Sequence, residues 1–380
     1  MKRVAVVMSV ALVAGASVWA QTQRTTPEPK RAAAPAPLST AVDRGARWLA
    51  SAQGADGGWG QDGGGASSAR PGERLESSGN DVANTAVAAL ALMQAGRQYE
   101  PQVERALVFV LERIEASPAD GLAITARQDT QIQRKLGPYI DTFLASMLMS
   151  QIDGRASTVA LNARVRKALQ KTVAKIEKHQ QSDGSWNSAG GWAPVLGTSM
   201  ASRSLFEARN RGVAVDAAVL KRAENYTVSA LSAPPPPVAR AGGGGLSAGR
   251  PVDASPAAPA EAAGVPLYQS AQALEQLSRT AADRVQNAKQ ISAIQGQLAN
   301  AAFVGGFGSM GGEEFFSYLN ISDSMKRVGG DSWSKWHADI TQKILGLQNS
   351  DGTWSGHHCI TGRVAMTSAA ILNLTVDRAR

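Results

Sequence analysis

Gln180-Gln181-Ser182-Asp183-Gly184-Ser185-Trp186 is one of three copies of a single pattern, Gln-x-x-Asp-Gly-x-Trp. The others are Gln53-Gly54-Ala55-Asp56-Gly57-Gly58-Trp59 and Gln348-Asn349-Ser350-Asp351-Gly352-Thr353-Trp354. Asp-Gly is a helix-ending turn, because glycine accepts the left-handed backbone that such a turn needs. The Trp offers a large apolar face to wedge between neighbouring units, and the Gln amide can satisfy loose backbone groups at a helix end. Gln53, Asp56, Gly57, Trp59, Gln180, Asp183, Gly184, Trp186, Gln348, Asp351, Gly352 and Trp354 therefore read as structural repeat residues, with the three tryptophans in the core.

Each copy follows an amphipathic stretch and precedes an Ala/Ser/Thr-rich one, at 80–96, 197–210 and 362–375, so the repeating unit is a helical hairpin. Helical spacing runs through Val42, Ala46 and Leu49, through Val82, Ala86, Leu90 and Met93, and through Val165, Leu169, Val173 and Ile176. Thr40 and Asp43 are spaced as a capping pair for the first helix. Degenerate hairpins fit between the copies: 103–116 with 139–152, 217–231 with 267–278, and 281–302 with 313–328. Strand-like alternation is nearly absent. The expectation is an all-α chain of about six helical hairpins.

Lys2 and Arg3 precede an uncharged, Val- and Ala-rich run and Val18-Trp19-Ala20, which reads as a signal peptide over 1–20 with cleavage after Ala20 and a secreted or periplasmic product. Residues 21–38 read as a Pro/Ala-rich linker, and 39–380 as the helical domain, interrupted by a disordered Pro/Gly-rich insert at 233–266. A shorter Gly/Ser-rich stretch covers 60–79. The net charge of +8 is mild, and basic residues such as Arg164, Arg166, Lys167, Lys171, Lys175 and Lys178 lack the interleaved aromatics of a base-stacking surface. No nucleic-acid partner and no transmembrane segment in the mature chain are expected. Cys359 is the only cysteine, so no internal disulfide can form.

On the Gln-x-x-Asp-Gly-x-Trp copies the chain resembles the terpenoid cyclase and protein prenyltransferase superfamily, whose squalene-hopene cyclases carry such QW repeats and whose secreted members carry prenyltransferase/squalene-oxidase repeats. The resemblance spans 39–376 and implies an α/α toroid, an α6/α6 barrel. It does not choose a chemistry, because one fold hosts many. Class II cyclases protonate their substrate with the central aspartate of Asp-x-Asp-Asp-Thr-Ala, and the comparable run here is Asp81-Val82-Ala83-Asn84-Thr85-Ala86. The proton donor is replaced by Ala83. Protein prenyltransferases hold zinc with Asp, Cys and His, for which this chain offers His357, His358 and Cys359 in one loop. Adjacent residues rarely converge on one ion, so the loop reads as structural and no cofactor is expected; were zinc held there, Asp81 and Glu313 are the carboxylates to test. Cys359 is followed by Ile360-Thr361-Gly362, which excludes the thioester of the complement-like rings, and one cysteine is too few for lanthionine-cyclase zinc.

Two functions follow. The first is a non-catalytic binding or scaffold module for a protein, lipid or glycan ligand, using the loops around Gly190-Gly191-Trp192, Gly305 to Gly312 and Ser355 to Arg363. The second is an extracellular glycan-active or terpenoid/prenyl-processing enzyme, for which Asp81, Asp141, Glu313 and Glu314 are the catalytic candidates. Carboxylates facing a solvent-filled cleft favour the second.

Overall fold

The computed structural model describes residues 37–61, 79–128, 130–186, 194–232, 265–306 and 310–378. The expected signal peptide, nearly all of the expected linker, the loop at 190–192 and the insert up to residue 264 lie outside them. The helices run α1 Leu38–Ser51, α2 Val82–Ala95, α3 Glu100–Ala116, α4 Gln131–Leu136, α5 Ile140–Ile152, α6 Val159–Lys178, α7 Pro194–Asn210 and α8 Ala217–Ser232. They continue with α9 Val265–Leu277, α10 Ala281–Gln286, α11 Ala288–Leu298, α12 Ala301–Val304, α13 Gly312–Val328, α14 Gly330–Gly346 and α15 Arg363–Leu374. The only strands among the described residues are β1 Trp59–Gly60 and β2 Asn80–Asp81, paired antiparallel with Trp59 opposite Asp81.

The helices α2, α5, α7, α9, α13 and α15 touch in that cyclic order, and α15 returns to α2. They are the inner ring of an α/α toroid. The helices α1, α3, α6, α8, α11 and α14 back them from outside. Composition explains the division. The inner α2 is buried without a break from Val82 to Leu92, which its alanines permit, whereas the outer α6 buries only the stripe Leu161, Val165, Leu169, Val173 and Ile176 with their neighbours.

The three repeat copies are joints between hairpins. Each Trp indole donates to a carbonyl on the helix before it: Trp59 to Leu49 at 2.9 Å, Trp186 to Ile176 at 2.7 Å and Trp354 to Ile344 at 2.7 Å. Each Trp amide donates to a threonine hydroxyl of the following inner helix, namely Thr85, Thr198 and Thr367. Each Gln amide reaches a carbonyl of the next outer helix, with Gln53 on Gln102, Gln180 on Val219 and Gln348 on Ala41. The last contact ties the final hairpin to the first and closes the ring. At Gly184, φ is +93° and a Cβ would lie 2.2 Å from the Arg222 carbonyl of α8, so both the turn and the close approach require glycine there.

Three local expectations are corrected. The first helix is preceded by Pro37 with no side-chain cap bond, so Thr40 and Asp43 sit inside α1 rather than capping it. The stretch 281–302 is three short helices, α10 to α12, broken at Asn287 and again at Asn300, whose side chain caps α12. The insert also ends two residues early, because α9 begins at Val265.

Candidate functional site

The N-terminal ends of the inner helices meet on one face of the ring, and hydrogen bonds join them in turn. Asp141 of α5 binds α2, the 357–361 loop before α15 pairs with Met310 to Gly312 at the start of α13, and Tyr268 of α9 binds Glu314 of α13. The catalytic candidates of the sequence all lie on this face. They form two separate clusters.

In the first cluster Asp81 caps its own helix: Oδ1 accepts from the Asn84 amide at 2.8 Å and Oδ2 from Asn84 Nδ2 at 2.9 Å. Asp141 caps its neighbour's helix, its Oδ1 accepting from the Ala83 amide at 3.0 Å and its Oδ2 from Gln133 Nε2 at 2.6 Å. Burial and then the charge of Asp81 push the Asp141 carboxyl up to about 7, against the donors from Gln133 and Ala83. Burial also raises Asp81, opposed by Asn84 and by Arg127.

The second cluster gathers Glu313, Glu314, Tyr268, His358 and Cys359. Glu314 accepts from Tyr268 Oη at 2.9 Å and from the Gly311 amide at 2.9 Å, and its Oε2 lies 3.3 Å from His358 Nε2. Tyr268 is kept a phenol, raised well above its usual range by burial and by the Glu314 charge. Glu313 accepts through Oε2 from the Ile360 amide at 3.3 Å, while its buried Oε1 has no hydrogen-bond partner. Burial and then Glu314 push Glu313 up to about 7. A carboxylate oxygen of Glu313, a ring nitrogen of His358 and Cys359 Sγ all lie within 4.8 Å of one another. Gly311 and Gly312 make this possible. A Cβ at Gly311 would lie 2.6 Å from the His358 carbonyl oxygen, and one at Gly312 2.6 Å from Ile360 Cβ.

Of the metal candidates, the structure thus brings together His358 and Cys359 with Glu313. It leaves out His357, which lines an open recess with Met310 and Lys343, and it places Asp81 in the other cluster. Sequence reasoning missed Tyr268, Gln133 and Gln131, the last of which ties Thr361 to α4 through bonds of 3.0 and 3.1 Å. Polar glutamines buried at a helix start were the available signal.

Asp81, Asp141, Glu313 and Glu314 are all buried, and none of them lines any of four cavities formed by the described residues. A pocket between the inner helices, walled by Val87, Leu144, Met147, Phe316 and Leu372 among others, holds about 20 Å³. That is room for about one water. A larger cavity of about 270 Å³ lies outside the inner ring between α11, α13 and α14, lined by Leu298, Val304, Met325, Trp336, Ile340 and Lys343 among others.

The sequence model of the squalene-hopene cyclase C-terminal domain matches residues 31–121. The ring of six inner and six outer helices agrees with it. The fold is that of the terpenoid cyclases. Among solved structures, the type II terpene cyclase MstE from Scytonema superposes in its complex with a product, merosterolic acid A, with a TM-score of 0.52 at 12% identity, over 89% of this chain and 96% of that one. A complex of the same cyclase with a substrate, geranylgeranyl dihydroxybenzoate, gives 0.53 at 12% identity over 90% and 97%. No curated protein matches in sequence. No helix of this terpenoid-cyclase-like ring, among the described residues, is long and apolar enough to cross a membrane.

Proposed function

We propose that this terpenoid-cyclase-like ring is an exported, non-catalytic binding module whose ligand is an apolar molecule of the lipid class. One observation carries the reading. At the position that resembles the cyclase proton donor stands Ala83, fully buried, with its amide engaged by Asp141. A class II cyclisation needs a positioned acid that reaches an alkene in a cavity, and here both Asp141 oxygens are held by donors while the pocket walled by Val87, Leu144 and Phe316 between the inner helices admits about one water. The cavity beside α13 and α14 supports the ligand class: Leu298, Val304, Met325, Trp336 and Ile340 give it an apolar wall, and Lys335 and Lys343, with Asp339 between them, supply charge for a polar head. Export rests on the sequence of residues 1–20.

Incubation of the purified chain with squalene and with geranylgeranyl dihydroxybenzoate, followed by mass spectrometry, tests the reading. Unchanged substrate is expected; a cyclised isomer that vanishes in Asp141→Asn would assign Asp141 as an acid and overturn it. A fluorescent fatty-acid probe should bind the wild type and be lost in Ile340→Lys. Retention of the probe in that variant contradicts the assigned cavity.

A further inference from the structure

We infer that Glu313, His358 and Cys359 form a binding site for a single divalent transition-metal ion, with zinc the best match. The inference is independent of the ligand cavity, and it reverses the expectation that this loop is merely structural.

Three observations converge. The ligand atoms come from two separated elements, the first turn of α13 and the loop before α15, and lie within 4.8 Å of one another. Glu313 Oε1 is buried without a hydrogen-bond partner, a state that costs free energy unless something positive meets it. Cys359 is the one non-glycine residue with positive φ among those described, at +55°. A left-handed cysteine costs about 1–3 kcal/mol and persists where its surroundings demand it. Here the surroundings are the pairing of Gly311 with His358 and the bonds from the Gly312 amide to the Ile360 carbonyl and from the His357 amide to the Met310 carbonyl, which fix the loop against α13.

The donor set specifies the ion. One thiolate, one imidazole and one carboxylate suit borderline-soft zinc, and three protein ligands leave a fourth tetrahedral position for water or another small ligand. Calcium and magnesium, which take oxygen ligands, do not suit a thiolate. Glu314 stands against His358 at 3.3 Å, where a carboxylate orients a ligating imidazole. The recess lined by Met310 and His357 opens beside the loop and gives an ion its approach.

The test is a titration of the reduced, full-length protein with cobalt(II), which substitutes for zinc and reports thiolate ligation as charge-transfer absorption in the near ultraviolet. One equivalent should bind with that band, and zinc should displace it. Cys359→Ser should abolish the band, His358→Ala and Glu313→Gln should each remove stoichiometric binding, and Glu314→Gln should weaken it by roughly 10- to 100-fold. His357→Ala should bind as the wild type does. The wild-type titration decides even if a variant does not fold: absence of the band overturns the site. So does a band that survives in Cys359→Ser, or a loss in His357→Ala equal to that in His358→Ala.

Discussion

At the junction of α2 and α5 all four carboxylate oxygens of Asp81 and Asp141 accept hydrogen bonds, whereas at the start of α13 one oxygen of Glu313 is buried with nothing to accept from. Both clusters sit at inner-helix N-termini, where partial positive charge favours acids. Position therefore does not distinguish them; the supply of donors does. In the first cluster the acids are helix caps, and backbone amides together with the Asn84 and Gln133 side chains engage all four of their oxygens. In the second, Glu314 takes the donors from Tyr268 and Gly311, and Glu313 keeps one buried oxygen without a hydrogen-bond partner in the cluster that holds His358 and Cys359. The saturated pair has the character of framework, and the unsaturated one is where the metal proposal rests.

The joints that hold both clusters set the scale. Trp354→Ala removes a fully buried indole and its bond to Ile344, and Trp186→Ala does the same to its bond with Ile176; each should cost roughly 3–5 kcal/mol in denaturant unfolding. A loss below about 1 kcal/mol would break the account of the joints.

The next effect separates the clusters by pH. With its carboxyl at about 7 in the folded ring against an ordinary 3.8, Asp141 holds a proton that the unfolded chain has released. Its contribution to stability is therefore complete below about pH 4 and is lost as pH rises toward 7. Asp141→Asn should flatten that decline in unfolding free energy measured across the same window. An unaltered pH profile would show that the burial of Asp141 is not what shifts it.

The smallest effect is local. Asp81→Ala should cost about 1 kcal/mol, the usual loss for an N-cap, with faster amide exchange at Asn84 as its signature. Unchanged exchange at Asn84 would detach Asp81 from the cap.

Much of this was legible in the sequence because it is local. The Gln-x-x-Asp-Gly-x-Trp copies located the joints, since each Asp turn and Gln-to-Gly bond closes within the motif, as Gln180 does on Gly184. The run at 281–302 misled because its apolar spacing continues while the helix breaks and restarts at Asn287 and Asn300. The clusters were beyond reach for another reason. Asp141 meets Ala83 across 58 residues and Glu313 meets Ile360 across 47, contacts that exist only once neighbouring hairpins have packed. Thus Asp81 and Glu313, equal candidates for one metal in the sequence, fall in different clusters.

The central claim, that donor saturation divides framework from site, is tested most directly by measuring unfolding free energies of Asp141→Leu and Glu313→Leu side by side in metal-free buffer. Asp141→Leu strands the buried Ala83 amide and the Gln133 side-chain amide, at about 1–3 kcal/mol each, and should be strongly destabilised. Glu313→Leu strands only the Ile360 amide, held at 3.3 Å, and removes a buried carboxyl oxygen that nothing satisfies, so its loss should be clearly smaller than that of Asp141→Leu. A large loss at Glu313 with little change at Asp141 would contradict the account.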